Sequence, residues 1–465
     1  MTIAFLLLPP VIDQTIHRVP LDAWSSAAFL VIILAAGFLA YRRSPIVLGV
    51  LAFAVPFAAY RDIGDTTITI EKCIAFGTAA GLILSGVPLL PRSKNARRVF
   101  YAGSILLLAI FLSIAHASFP VHVAREFFKQ AEYLVIFWCA ATLLEQAAAS
   151  QKALFVGVGA SALIVSTLAV AQATIGGAPS GIWVNGHPLP RVAGTLEGPN
   201  QLAGFLEAAL PVLWVAPLLM SWIRPVWSYV TGASAAALIL TQSRAGVFVA
   251  ALSYFVLSKI DPRKARSSLL PTLIGVTFGF AVSVAWLVFY AHASWSDVER
   301  LSRFAIPQAP GGVGTRAQLW PAALALFSRS PLTGVGAGNF EMLLPSVGVN
   351  GVQTQASSLW LQTLAEQGLL GFAALVAFAF IALRETYRLR LQSSLALAAF
   401  LATVSLLLHQ LVDDLFFFPK VAALAWLLLG AGTVRPTAVE PGAVTNGRAA
   451  VMVTGGAVES TTGAS

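Results

Sequence analysis

Long apolar stretches separated by short polar segments run along almost the whole chain. The stretches are about 16 to 23 residues long, close to the roughly 20 residues that a helix needs to cross a bilayer. They are apolar on every side instead of alternating, which disfavours a transmembrane β-barrel. The pattern therefore predicts an all-α polytopic transmembrane helical bundle of 12 or 13 spans. The candidate spans are residues 23–41, 45–60, 68–90, 99–115, 131–146, 153–172, 201–220, 226–240, 245–258, 269–290, 361–383, 395–412 and 416–433.

The composition agrees with a membrane protein. Of the 465 residues, 57% are hydrophobic and only 11% are charged, against roughly a quarter in soluble domains. A net charge of +9 would suggest a nucleic-acid partner in a soluble protein. Here the basic residues flank the predicted spans in short clusters, as expected for cytoplasmic loops. Topology accounts for the charge, and no nucleic-acid partner is predicted.

The basic clusters fall in alternate loops, so the other loops are predicted to be periplasmic. Two of these outer loops are much longer than the rest, at about residues 173–200 and 291–360, and the second is expected to contain short helices. Loops held by a rigid scaffold often carry function, which makes the outer face the predicted working surface. Residues 1–434 are interpreted as one transmembrane domain, and residues 435–465 as a disordered cytoplasmic tail.

Neither a metal site nor a disulfide is predicted. Cys73 and Cys139 lie in separate apolar runs, and the six histidines lack the spacing of metal ligands. A reaction at the outer face has no access to cytoplasmic nucleotides. The sequence therefore predicts no cofactor and requires an activated substrate that arrives within the membrane.

The first candidate motif is PRVAGTLEGPNQLAGFLE, residues 190–207, at the end of the shorter outer loop. Glycine and proline mark a turn, and Asn200 is predicted to cap the helix that follows. Arg191 would then lie above a helix N-terminus, where exposed N–H groups favour an anion. The alternative is an interfacial arginine that extends to lipid headgroups.

The second motif is TQSRAGVFVA, residues 241–250, a turn between two predicted spans. Arg244 lies so close to the hydrocarbon that it needs a partner or a polar cavity. Ser243 and Gly246 suit the start of another helix, and Ser243 is a candidate substrate contact. A functional role for Arg244 is favoured over a purely interfacial one.

The third motif is GTRAQLWPAALALFSRSPLTGVGAGNFE, residues 314–341, in the longest outer loop. Its apolar residues share one face, which predicts a helix on the membrane surface with Arg316 in its first turn. No strand precedes the glycines that follow, so a dinucleotide site is disfavoured. Gly336 and Gly338 are instead predicted to bring a tight backbone turn close to substrate.

Arginine at all three positions indicates phosphate chemistry. It stays charged near lipid, and its planar fork matches two phosphate oxygens at once. Arg191, Arg244 and Arg316 could jointly hold a diphosphate. Asp413 and Asp414, beside the last predicted span, are interpreted as a solvated or mutually paired cap and not as a proton relay.

The chain resembles the superfamily of O-antigen ligases and O-antigen polymerases. The similar pieces are Arg191 to Asn200, Ser243 to Gly246, Arg316 to Phe340, and SLWLQTLAEQGLLG from Ser358 to Gly371. The resemblance implies a glycosyltransferase of the bacterial inner membrane with a periplasmic active site. Its donor would be a glycan on undecaprenyl diphosphate, its acceptor a glycan or lipid A core, and the surrounding lipids its other partners. Neither metal nor nucleotide is implied.

The chain departs from the family at the proton acceptor. Ligases of this family usually carry a histidine at the position of Ser357, which here becomes a candidate substrate contact. Glu341, Glu197 and His187 are the candidate bases, in falling order. If the protein is a glycosyltransferase of this family, it could be either a ligase or a polymerase. A polysaccharide or solute transporter or flippase is the main alternative, and a docking platform for a biosynthetic complex is another.

Overall fold

The structure is a computed structural model that describes residues 23–57, 60–63, 66–178, 180–184, 187–216, 223–290, 292, 294 and 313–435. The predicted tail from residue 436 onward and most of the segment at 291–312 lie outside these residues. The described chain is an all-helical bundle that carries two short β-hairpins.

Fifteen α-helices are present in the described part of the chain. They are α1 (Ala23–Tyr41), α2 (Ile46–Ala54), α3 (Ile70–Leu84), α4 (Lys94–Leu112), α5 (Pro120–Gln146), α6 (Ala149–Thr174), α7 (Pro199–Val215), α8 (Arg224–Leu240), α9 (Arg244–Ile260), α10 (Pro262–Ala285), α11 (Val313–Arg329), α12 (Phe340–Leu343), α13 (Leu359–Leu389), α14 (Ser394–His409) and α15 (Pro419–Gly432).

A helix lies at each of the 13 positions that hydropathy predicts, which confirms the helical transmembrane architecture. Five helical segments of the described chain are both long and apolar enough to cross a membrane. By length and composition, the described helices therefore include fewer full spans than the 12 or 13 predicted. The long segments are Lys94–His116, Pro120–Gln146, Ala149–Thr174, Pro262–Phe289 and Leu359–Leu389.

The span predicted at 45–60 is wrong in length. Helix α2 has nine residues, or about 14 Å at 1.5 Å per residue, which is less than half of the hydrocarbon thickness. Pro56 follows one residue after its C-cap, Val55. Pro56 has no N–H to donate to the carbonyl four residues earlier, so the helix ends here.

Two antiparallel hairpins occupy segments that hydropathy alone left as loops or span ends. Strand β1 (Tyr60–Ile63) pairs with β2 (Thr66–Thr69), and β3 (Ser180–Val184) pairs with β4 (His187–Arg191). In the second hairpin Ser180 is opposite Arg191. This hairpin ends the shorter of the two predicted outer loops, and it delivers Arg191 to the start of α7.

Glycines bring α1 and α3 into close backbone contact. A side-chain carbon at Gly81 would overlap the carbonyl oxygen of Gly37, and one at Gly77 would overlap that of Ile33. Small residues serve this purpose in membrane bundles, where close van der Waals packing holds helices together.

We expect Gly81→Ala to destabilise the bundle by up to about 2 kcal/mol, because overpacking costs about 1–3 kcal/mol and outweighs the roughly 1 kcal/mol gained in helix propensity. Ala80→Val is the control, because Ala80 is exposed one residue earlier. Unfolding in mixed micelles would measure both. Equal stability of the two variants would contradict the close contact.

The longest helix, α13, is broken at Gly368, and the break holds the segment that follows α11. Gly368 has φ +63° and ψ −160°. Beyond it, the N–H groups of Leu369 and Leu370 donate to the carbonyls of Pro331 and Leu332 at 2.8 and 3.1 Å. The N–H groups just after the break therefore bond to the loop that follows α11 instead of to the preceding turn of α13.

Helix α11 confirms the helix predicted around Arg316. The prediction that this helix lies on the membrane surface is wrong. The predicted apolar face is buried in a small core with residues of the following loop and of α13. Because this core covers the face, it cannot also lie on lipid. The core consists of Leu319, Ala322, Ala323, Leu326, Val335, Phe340, Leu344, Ala356 and Ala365.

Candidate functional site

Arg191 is fixed by two hydrogen bonds from different parts of its guanidinium group. Its Nε donates to the carbonyl of Thr241 at 3.0 Å, and its NH2 donates to Oδ1 of Asn200 at 3.0 Å. Asn200 in turn donates from Nδ2 to Asp413 at 2.7 Å. One chain of contacts therefore joins the end of β4, the start of α7 and the loop between α14 and α15.

Asn200 does not cap α7 as predicted. The helix begins at Pro199 with Gly198 as N-cap, and no side chain accepts a hydrogen bond from its first turn. Proline at the first helical position needs no acceptor for an N–H group. The amide of Asn200 is therefore available to bridge Arg191 and Asp413.

Arg244 is the first residue of α9, as the sequence predicts for a helix start in this turn. Ser243 is the N-cap, and its Oγ accepts from the N–H of Gly246 at 3.4 Å. Gln242, just before it, has φ +56°, a conformation uncommon for residues other than glycine. The side chain of Arg244 is exposed.

Arg191 and Arg244 lie close enough for their charges to interact. Burial lowers the pKa of Arg191, the nearby carboxylate of Asp413 raises it, and the like charge of Arg244 lowers it again. Two like charges side by side are stabilised by an anion placed between them. This pair is therefore suited to a phosphate group.

Arg316 adjoins the same end of the bundle through His409, the last residue of α14. The charges of Arg316 and Asp413 both act on His409, and the Nε of Arg316 is buried without a hydrogen-bond partner among the described residues. His409 contacts Glu207 of α7, with 2.7 Å between Nδ1 and Oε1. All three predicted arginines thus lie at one end of the bundle, which we term the site end.

Sequence reasoning missed Asp413, Glu207 and His409. The predicted cap is Asp414, whose Oδ1 accepts from the N–H of Phe417. Asp413 accepts from Asn200 and from the backbone N–H of Asp414. Its own backbone carbonyl accepts from the N–H of Leu359 at 3.1 Å. The available signal was a single ionisable residue inside each of two apolar runs, which is costly unless the residue has a partner.

The candidate base Glu341 belongs to a second group of charges, formed with residues of α5. It is half-buried and accepts a hydrogen bond from Nε2 of Gln355. Burial raises its pKa, as does Glu126 of α5, while His122 and Lys129 lower it. The charges of Glu126 and Lys129 also act on Asp414, and burial raises the pKa of Asp414 to about 7. The group therefore continues from Glu341 to the loop that carries Asp413.

Of the other candidate bases, Glu197 forms an ion pair with Lys420 at 3.1 Å, so its carboxylate already has a partner. The side chain of His187 lies outside the described residues.

Gly336 and Gly338 have φ of +101° and +74°, so both need glycine. A side-chain carbon at Gly336 would meet Ala117 at 2.5 Å, and one at Gly338 would meet Glu126 at 3.1 Å. The turn at Gly336 and Gly338 therefore packs closely against the start of α5 and the residues just before it. The carboxylate of Glu366 accepts from the N–H of Phe340 at 3.0 Å and fixes the end of this turn.

Ser357 is held in a strained conformation at the site end, with φ +50°. The next residue, Ser358, caps α13, and the N–H of Leu359 reaches the carbonyls of Gln410 and Asp413. Strain of this kind is retained where surrounding contacts enforce it, often at functional sites. Ser357 is thus placed beside the loop that carries Asp413.

The comparisons with known proteins address the family. No curated protein matches the chain at a significant level. A family model described as O-antigen ligase matches residues 229–376, a region that includes Arg244, Arg316, Glu341 and Ser357. Arg191, Glu207, His409 and Asp413 lie outside it. The match confirms the resemblance over residues 229–376, which are similar to the O-antigen ligase family.

Proposed function

We propose that this protein transfers a glycan from undecaprenyl diphosphate to an acceptor hydroxyl at the periplasmic face of the bacterial inner membrane. The observation that carries the proposal is the hydrogen bond from Arg191 to the carbonyl of Thr241, three residues before Arg244. The charge of Arg316 acts on His409 at the same end of the bundle. These arginines come from three segments separated in sequence. A single lipid headgroup would not require their convergence.

The arginines would act on the leaving group. The acceptor oxygen attacks the anomeric carbon, the bond from that carbon to the phosphate oxygen breaks, and the lipid diphosphate leaves with the electron pair. Guanidinium groups fixed before the reaction stabilise this developing charge without reorganising. Arg191 is fixed in this way, because Thr241 and Asn200 hold it from two directions.

Glu341 is our candidate for the proton acceptor. Its raised pKa makes it a stronger base than an exposed glutamate, and a base whose pKa approaches ambient pH is the more effective. The proton of the acceptor hydroxyl would pass to its carboxylate as the new glycosidic bond forms. Ser357, Ser243, Asn200 and the turn at Gly336 and Gly338 remain candidate substrate contacts.

A strain that lacks this gene tests the proposal and separates ligase from polymerase. Uncapped lipid A core together with long lipid-linked polymer indicates a ligase, and accumulation of single repeats indicates a polymerase. Complementation by the wild-type gene should restore the missing product. A normal glycan profile in the deletion strain would contradict glycan transfer, and a lipid-linked intermediate trapped on the cytoplasmic side would favour the flippase alternative.

A further inference from the structure

A buried ion pair lies beside the three arginine-bearing segments. His409 of α14 and Glu207 of α7 are 2.7 Å apart, and their side chains are 2% and 0% exposed. Such a buried pair often stabilises a fold no better than apolar side chains of similar volume. A contribution to the geometry of the site is therefore the better explanation for its presence in two otherwise apolar helices.

Glu207 packs against the helix that begins with Arg244. A side-chain carbon at Gly246 would lie 2.7 Å from Oε1 of Glu207 and 3.2 Å from Oγ of Ser243. The carboxylate thus rests on the first turn of α9, where the helix dipole favours a negative charge. Movement of Glu207 would move the turn that carries Arg244.

His409 connects the pair to the other two arginines. Arg316 of α11 and Asp413 both act on it electrostatically. Asp413 accepts from Asn200, and Asn200 accepts from Arg191. Direct contact therefore links the pair to the turn that carries Arg244. Its link to Arg316, and through Asp413 to Arg191, is a charge interaction of His409.

We propose that Glu207 and His409 are positioning residues that hold the three arginine-bearing segments at the separation a diphosphate requires. The inference rests on the proposed function and deepens it. Neither residue touches the substrate. The charged groups that act on the pair are Asp413 from the α14–α15 loop and Arg316 from α11. Removal of either partner leaves a buried charge or acceptor without compensation and allows these groups to move.

Binding of undecaprenyl diphosphate to the full-length protein in lipid nanodiscs tests the inference. We expect wild-type protein to bind the probe, and Glu207→Gln and His409→Gln to bind it at least about tenfold more weakly. The double variant Glu207→Leu/His409→Leu should fold, because apolar side chains replace the buried charges, and should bind as weakly as the single variants.

Ser405→Ala is the matched control. Ser405 lies one turn before His409 and bonds Ser253 of α9 at 2.6 Å, so its loss loosens the packing of α14 without touching the pair. It should bind the probe as wild type does. In a transfer assay the pair variants should raise the KM for the lipid-linked donor and leave the KM for the acceptor unchanged, whereas partial unfolding would lower only the apparent kcat.

The outcomes separate the two proposals. Wild-type protein that does not bind undecaprenyl diphosphate would overturn the proposed function and the inference together. A double variant that binds as tightly as wild type would overturn the positioning role alone. A double variant that does not fold would also overturn it, because the pair would then serve folding.

Discussion

Replacement of Arg244 by alanine is expected to reduce glycan transfer by about 100-fold to 1,000-fold, the range seen when one preorganised donor to a developing anion is removed. The side chain is exposed at the first turn of α9. Its loss should therefore change the free energy of unfolding by less than about 0.5 kcal/mol. Transfer is measured with purified protein and a lipid-linked donor, and stability by denaturation in mixed micelles.

Two further variants sharpen this prediction. Arg244→Lys should recover only part of the rate, because lysine keeps the charge and loses the planar fork that binds two oxygens. Arg329→Ala is the matched control on α11. Its guanidinium is exposed and donates to Ser346 at 2.8 Å, away from the site end. Full transfer by Arg244→Ala would favour a docking or structural role for this face.

Helix positions were predictable because each apolar run is long compared with the turns that interrupt it. The periodicity of α11 was equally plain, and Leu319 and Leu326 are buried as its pattern requires. The surface that covers this face could not be predicted. An apolar helical face has the same pattern whether lipid or protein lies against it, and here the broken helix α13 supplies the protein.

The candidate site was predictable only in part. Arg191 and Arg244 were recognisable because an arginine at a span end beside a helix start has few structural uses. Asp413 was not recognisable, because its partner Asn200 lies 213 residues away in the chain. Glu207 and His409 carried a detectable signal, since an ionisable residue within an apolar run calls for a partner. Neither residue indicates by itself that the other is that partner.

Gly368→Ala is expected to cause the largest loss of stability of any single substitution proposed here, about 2–6 kcal/mol. The backbone at Gly368 has φ +63° and ψ −160°, a region almost confined to glycine that costs other residues about 1–3 kcal/mol. A side-chain carbon would also lie 2.5 Å from the carbonyl oxygen of Leu332, and overpacking adds about 1–3 kcal/mol.

Gly348→Ala separates these two causes. Gly348 has φ +83°, but nothing lies within 4 Å of the added carbon, so the backbone alone should cost about 1–2 kcal/mol. Denaturation in mixed micelles compares the variants, and equal losses would show that close approach to the α11 loop contributes nothing. The larger loss at Gly368 should be accompanied by reduced glycan transfer. The break in α13 fixes the loop that precedes Glu341, and through Ser358 the same helix begins against the carbonyl of Asp413.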